Sequence, residues 1–217
     1  LQDLEKPESE LSSELYSSDN ALLGKYFRYN RSPVKFNELS DELVITLLVT
    51  EDIRFYEHSG IDLKGLVRAT YGVVKNIATL GSSGLEGGGS TITQQLAKNL
   101  FKIRREKRGT LSNVPFLGLI ISKVKEWIVA VKLEEFYTKK EILAMYLNTA
   151  EYGSNSYGIK VAAKTYFDKE PSELNYNESS IIVGLLNKPT KYNPFFNPEN
   201  STEKRAEIFY NLYKYNI

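Results

Sequence analysis

The 217 residues carry 41% apolar and 25% charged side chains, the composition of an ordinary globular protein with enough chain for one well-cored domain and a small lobe. Lys and Arg number 28 and Asp and Glu 27, and a net charge of +1 gives no reason to expect nucleic acid, so any anion site must come from local clustering. With no cysteine and a single histidine, His58, the chain lacks disulfides, thiolate metal sites and a cysteine nucleophile, and has too few imidazoles for most zinc sites.

The chain starts at Leu1 rather than Met, and a segment ahead of it is expected to have been removed. No apolar run reaches the roughly 18 residues of a membrane span, and no signal peptide is visible. Residues 1–20 are polar and rich in Ser and Glu. Leu15-Tyr16 and Leu22 to Tyr29 read as two strands of a short β-hairpin around a turn at Asp19-Asn20.

Ser40 is a suitable N-cap for the first strong helix, with Leu43, Val44, Leu47 and Leu48 on one face. Glu51 and Asp52 fall at its end, where the macrodipole disfavours negative charge; Glu51 there should have a raised pKa, as suits a general base. A second helical run covers about 62–80, with Leu66, Val67, Val73, Val74 and Ile77. Five glycines in the nine residues 81–89 then predict a flexible loop. A helix follows it, for which Thr91 and Gln94 fit a capping box. Gln94, Gln95 and Lys98 can share one of its faces.

Residues 102–113 are basic and polar, and 115–121 are apolar, suiting either a core or a surface that dips into a membrane beside anionic headgroups. A long helix runs to about Tyr137, with Val124, Trp127, Ile128 and Val131 on one face. Thr138 and Glu141 form another capping box, opening a helix that reaches Leu147. Residues 158–167 and 177–187 read as two further helices, and Pro189, Pro194 and Pro198 impose an irregular, extended segment. The chain is expected to be mainly helical with little sheet.

Two carboxylates brought together from distant segments, Glu51 and Glu126, suit acid/base work on a sugar hydroxyl or a glycosidic bond; taken singly, either serves as well as a solvated surface acid. Lys98, Lys123 and Lys125 can converge on an anion beside the loop-to-helix junction at Gly89-Ser90, or can be charged helix faces in water. His58 suits a local pair with Asp62 that fixes its loop, with a titrating role as the alternative.

The order of these segments sharpens the reading. Glu51-Asp52-x-x-Phe55-x-x-His58-x-Gly60-x-Asp62 resembles the first signature of the peptidoglycan glycosyltransferases, glycosyltransferase family 51. Gly88-Gly89-Ser90-Thr91-Ile92-Thr93-Gln94-Gln95-Leu96-Ala97-Lys98-Asn99 resembles the second. Lys123-x-x-Glu126, with Lys132-Leu133-Glu134 and Ile142-Leu143-x-x-Tyr146-Leu147-Asn148, resembles the third. Tyr157-Gly158-Ile159-x-x-Ala162-Ala163-x-x-Tyr166-Phe167 and Gly184-Leu185-Leu186-x-x-Pro189-x-x-Tyr192-Asn193-Pro194 resemble the fourth and fifth. The likeness covers about residues 36–200, with 1–35 similar to the linker or hairpin that follows a membrane anchor and 201–217 to the start of a linker. The wording is most similar to class A penicillin-binding proteins, in which a transpeptidase follows this domain; a monofunctional glycosyltransferase is the alternative.

The resemblance implies a lysozyme-like helical lobe with a smaller, membrane-facing jaw lobe, and polymerisation of lipid II into glycan strands at the outer face of the cell membrane. It implies Glu51 as general base and Glu126 as a second essential carboxylate holding the donor. It implies Lys98, Lys123 and Lys125 at or beside the pyrophosphate, and Asp52, Phe55, His58, Thr91 and Gln95 lining the site. The reaction inverts the MurNAc anomeric carbon and releases undecaprenyl pyrophosphate. The implied partners are lipid II, the growing strand, the membrane surface and a transpeptidase, fused or separate. No tightly bound cofactor is expected; Mg²⁺ or another divalent cation assists the family at the diphosphate, and no dedicated metal cage is visible. One departure is Ser122 where the family usually has Arg before the lysine, with Arg104 or Arg105 as the nearest substitutes. A muramidase or lytic transglycosylase, and a non-catalytic module that binds the lipid-linked precursor, are the rival readings.

Overall fold

A computed structural model of the chain describes residues 13–16, 22–26, 33–68, 71, 89–101 and 115–217. The fold is mainly helical. Its longer helices are α1 (Asp41–Glu51), α2 (Ile92–Phe101), α3 (Pro115–Phe136), α4 (Lys139–Thr149), α5 (Ile159–Phe167), α6 (Tyr176–Asn187) and α7 (Pro198–Lys214). Two short strands, β1 (Ser13–Tyr16) and β2 (Leu22–Tyr26), pair antiparallel with Ser13 opposite Tyr26. The expected turn at Asp19-Asn20, the strand beyond Tyr26, most of the helix beyond residue 68, the glycine-rich loop up to residue 88 and the basic segment 102–113 lie outside the described residues. So do the side chains of 115–120. The chain divides into two compact units, one of residues 1–50 and 143–217 and one of residues 51–142.

In the first unit, α1 starts as its cap predicts: the Leu43 amide donates to Ser40 Oγ at 3.2 Å. Asp41 and Glu42 lie in the first turn, where the positive end of the macrodipole favours them. Leu43 and Leu47, four apart, are fully buried. The Asn148 side chain clamps the entering chain, accepting from the Val34 amide at 3.0 Å and donating to its carbonyl at 2.8 Å. Asn175 and Glu178 cap α6 reciprocally, each side chain taking the other's amide at 3.1 Å.

The stretch expected to be irregular is so only between α6 and Asn197. Pro198 opens α7 rather than breaking it, because a proline in the first turn loses no hydrogen bond and has its φ already set. Residues 201–217, expected as the start of a linker, thus fall mostly within a helix that packs on α6 and buries Ser201, Ile208 and Leu212.

In the second unit α2 packs against α3. The N-cap of α2 is Thr91, whose Oγ1 accepts the Gln94 amide at 3.1 Å. The other half of the expected box is not formed: the Gln94 side chain donates to the Gly60 carbonyl at 3.1 Å instead. At Thr138 and Glu141 both halves are present, at 3.3 and 2.8 Å, and α4 follows. The face of α3 differs from the apolar pattern. Glu126, Ala130 and Leu133, spaced four and three apart, are buried, whereas Val124 and Ile128 are exposed. The Gly60 site explains part of this. Gly60 has φ +87°, and a Cβ there would lie 2.8 Å from the Ala130 carbonyl carbon, so only glycine lets this loop press against α3 where Ala130 leaves room.

If α7 belongs to the core of its unit, Ile208→Ala should lower unfolding free energy by about 2–4 kcal/mol, the cost of an apolar cavity. Urea denaturation followed by circular dichroism reads this, and a midpoint equal to that of the unsubstituted chain would make 198–214 an appendage.

Candidate active site

Every residue expected to carry chemistry falls in the unit of residues 51–142. Three small constellations hold six of them, and each joins a piece of the first signature or the third to the start of α2.

The first is Glu51 with Gln95. Glu51 is the last residue of α1 and half-buried. Gln95 Nε2 donates to its Oε2 at 2.7 Å. A neutral amide fixes that oxygen without supplying a compensating charge.

The second is Asp52 with His58. His58 Nε2 lies 3.1 Å from both oxygens of Asp52, and the Ile92 amide, the first of α2, donates to Asp52 Oδ2 at 3.1 Å. A carboxylate only accepts, so His58 Nε2 carries the hydrogen. The imidazole and the carboxyl are 7% and 4% exposed, and among the described residues buried His58 Nδ1 has no hydrogen-bond partner. His58 therefore does not pair with Asp62 as its sequence position suggests. Asp62 is taken by the Arg54 guanidinium and by the Gly65 amide at 2.9 Å, and it caps the helical turn 63–68. Burial alone would raise the pKa of Asp62; the hydrogen bonds from Arg54 and Gly65 and the nearby positive charge outweigh it and hold the carboxyl below its usual value. A Cβ at Gly65 would stand 2.4 Å from the Asp62 carboxylate, so a larger residue there would push that carboxylate from its place against Arg54.

The third constellation is Lys123 with Glu126, one turn apart on α3. The Lys123 ammonium lies 2.7 Å from Glu126 Oε2 and 2.7 Å from Ser90 Oγ, with Gln94 Oε1 at 3.5 Å. Glu126 is 2% exposed and Lys123 30%, so the cation stands between a buried acid and solvent. The local spacing made this pair legible; the part of Ser90 and Gln94 in it was not.

The Gly60 carbonyl links the first signature to the second: it accepts from Thr91 Oγ1 at 2.7 Å and from Gln94 Nε2. Phe55 is fully buried, with its ring edge-on to Tyr56 and to His58. Asp52, Phe55, His58 and Thr91, expected to line the site, are thus interior residues that hold its frame. Glu51, Gln95, Lys98 and Lys123 are half-buried. Lys125 is exposed, with no ion pair among the described residues. Arg104 and Arg105 lie outside the described residues. Among the described residues no three His, Asp or Glu side chains meet as metal ligands, so they do not fit a cation held by protein groups alone.

A family described as Transglycosylase matches residues 19–213. Penicillin-binding protein 1A of Haemophilus influenzae is 38% identical over 203 residues, covering 94% of this chain and 22% of the relative. Penicillin-binding protein 1A of Vibrio cholerae is 37% identical over 195 residues, covering 90% and 22%. Penicillin-binding protein 1F of Bacillus subtilis is 36% identical over 197 residues, covering 91% and 25%. The crystal structure of penicillin-binding protein 1A from H. influenzae gives a TM-score of 0.46 at 22% identity, covering 94% of this chain and 18% of that one. The chain belongs to the transglycosylase family. It spans about a fifth to a quarter of the length of these curated relatives.

The buried pair makes a stability prediction separate from activity. Lys123→Met removes the ammonium that stands 2.7 Å from the buried Glu126 carboxylate. It should cost about 2–3 kcal/mol, less than the about 3–5 kcal/mol of a fully enclosed pair because Lys123 is partly exposed. Lys125→Met should cost under about 0.5 kcal/mol. Equal effects in thermal unfolding would remove the ion pair from the account of this site.

Proposed function

We propose that this chain is the glycosyltransferase module of a peptidoglycan polymerase, joining the disaccharide units of lipid II into glycan strands. The observation that carries this reading is that the start of α2 engages both a half-buried carboxylate, Glu51 through Gln95, and a partly exposed ammonium, Lys123 through Ser90, the latter paired with buried Glu126. Glu51 is held at the C-terminal end of α1, where the negative end of the macrodipole makes a carboxylate a better base.

In the proposed reaction Glu51 takes the proton of the acceptor GlcNAc 4-hydroxyl as that oxygen attacks the donor MurNAc anomeric carbon. The bond from that carbon to the diphosphate oxygen breaks, the centre inverts, and undecaprenyl pyrophosphate leaves with the electron pair. A positioned base contributes about 10²–10⁴-fold. Lys123, with Lys98 and Lys125, offsets the charge that grows on the leaving diphosphate, and Glu126 keeps Lys123 in place. A divalent cation in this scheme is carried by the diphosphate, not by a cage of protein ligands.

The lipid carrier puts the reaction at a membrane surface, on the outer face of the cell membrane, with a transpeptidase in the remainder of a longer protein or as a partner. No described helix is long and apolar enough to cross a membrane. Support for surface contact comes from apolar side chains left outside: Leu63, Val67 and Tyr71 at spacings of four, and Val124 and Ile128 on α3. The double substitution Val124→Asp and Ile128→Asp should leave the circular dichroism spectrum unchanged and weaken co-sedimentation with anionic vesicles. Undiminished sedimentation would remove this face from the membrane contact.

Polymerisation of fluorescent lipid II in detergent tests the reaction. The unsubstituted chain should give ladders of long strands, and Glu51→Gln should lower the rate at least about a hundredfold. Strands made equally fast by both proteins would show that Glu51 is not the base. Shortening of purified glycan strands without lipid II would assign the chain to the cleaving enzymes.

A further inference from the structure

Among the buried polar groups of the unit of residues 51–142, one ammonium stands apart from the residues assigned above. Lys139, the first residue of α4, is 23% exposed, and its Nζ lies 2.6 Å from the His58 carbonyl oxygen and 2.8 Å from Oε1 of Glu134 near the end of α3. It also sits 4.2 Å from the centroid of the Phe55 ring. Glu134, only 6% exposed, is held from α2, whose Thr93 Oγ1 donates to Glu134 Oε1 at 2.6 Å. The ammonium thus meets a carbonyl oxygen, a carboxylate and an aromatic face.

What this cation does follows from how His58 is held. Among the described residues the imidazole has one polar anchor, the Asp52 carboxylate, and its other nitrogen has no hydrogen-bond partner. Two further contacts bear on its tilt: the backbone at His58 and the edge-on contact with Phe55, whose ring centroid is 6.1 Å away. Lys139 grips both, by the carbonyl and by the face of the ring.

We propose that Lys139, braced by Glu134 and Thr93, is a positioning residue for the active site. It fixes the His58 backbone and the Phe55 ring, these seat the imidazole on Asp52, and Asp52 sets the neighbouring Glu51 against Gln95. The proposal rests on the reading of Glu51 as general base. Lys139 touches no substrate in this scheme and acts only through His58 and Phe55.

The single histidine makes the test direct, since ¹⁵N-histidine labelling reports on His58 alone. Lys139→Met keeps much of the stem and removes the charge. It should shift the His58 ring signals away from the Nε2–H pattern of the unsubstituted chain. It should also lower kcat on fluorescent lipid II at least about tenfold, with KM within about twofold, as expected when a transition-state interaction and not ground-state binding is lost. Lys139→Arg should recover the ring pattern and much of kcat. If Lys139→Met does not fold, Glu134→Gln, which keeps the shape of the brace and halves its grip on the ammonium, should show both changes in weaker form. Ring signals and kcat both unchanged in a folded variant overturn the proposal, and so does a change in either one without the other. Glu51→Gln separates the two claims. It should abolish polymerisation with the His58 signals intact; continued polymerisation would sink the base assignment, while the ring signals of the Lys139 variants still judge its hold on His58.

Discussion

The Asp52 carboxylate receives the His58 imidazole on one side and the first amide of α2 on the other, and the arrangement of the second unit depends on it. Burying a carboxylate costs several kcal/mol unless its lone pairs are used, and here they are used twice, once at the positive end of a helix. The same contacts fix where α2 begins. Once it begins at Ile92, Thr91 and Gln94 reach the Gly60 carbonyl, Thr93 reaches Glu134, and Gln95 reaches Glu51. Four of the five side chains from 91 to 95 are thereby distributed over three partners, the Gly60 carbonyl, Glu134 and Glu51, by a single turn of backbone.

Burial sorts the signature residues into two kinds of work. Phe55 is interior, and so are Asp52, Thr91 and Gln94, whose polar atoms go to backbone, to His58 and to Lys123. Glu51, Gln95 and Lys123 stand at the boundary, fixed on one side and accessible on the other. A carboxylate and a cation used in proton transfer and charge stabilisation need this second setting, because full burial would force them to neutralise and full exposure would screen them. In the proposed reaction the frame behind them supplies preorganisation, which sets such a pair apart from two charges on a surface.

The relations legible in the sequence are the local ones. Ser40 with Leu43, Thr91 with Gln94, Thr138 with Glu141 and Lys123 with Glu126 are all three residues apart, and three is the spacing at which a helix makes neighbours. Distant partners left no such mark. Sequence proximity favoured Asp62 for His58, yet Arg54 and a helix start claim Asp62, and His58 turns back to Asp52. The 81 residues between His58 and Lys139 hide their contact altogether. Three prolines suggested a structureless end to the chain, but a proline's meaning depends on its position in a turn, and Pro198 stands where a helix accepts it.

On α3 the apolar pattern and the buried face disagree: Val124 and Ile128 look outward while Glu126 looks inward beside Ala130. Hydrophobicity alone would spin this helix about its axis to hide the valine and isoleucine. What opposes the spin is polar. Glu126 finds its counter-charge only in this orientation, and the Gly60 loop finds room only against the small side of Ala130. The ion pair therefore works as a key that chooses a rotation, exchanging some cohesive energy for uniqueness of alignment. A redesign that swapped both charges for well-fitting apolar groups would strengthen the interior and at the same time erase the instruction that tells α3 which way to face.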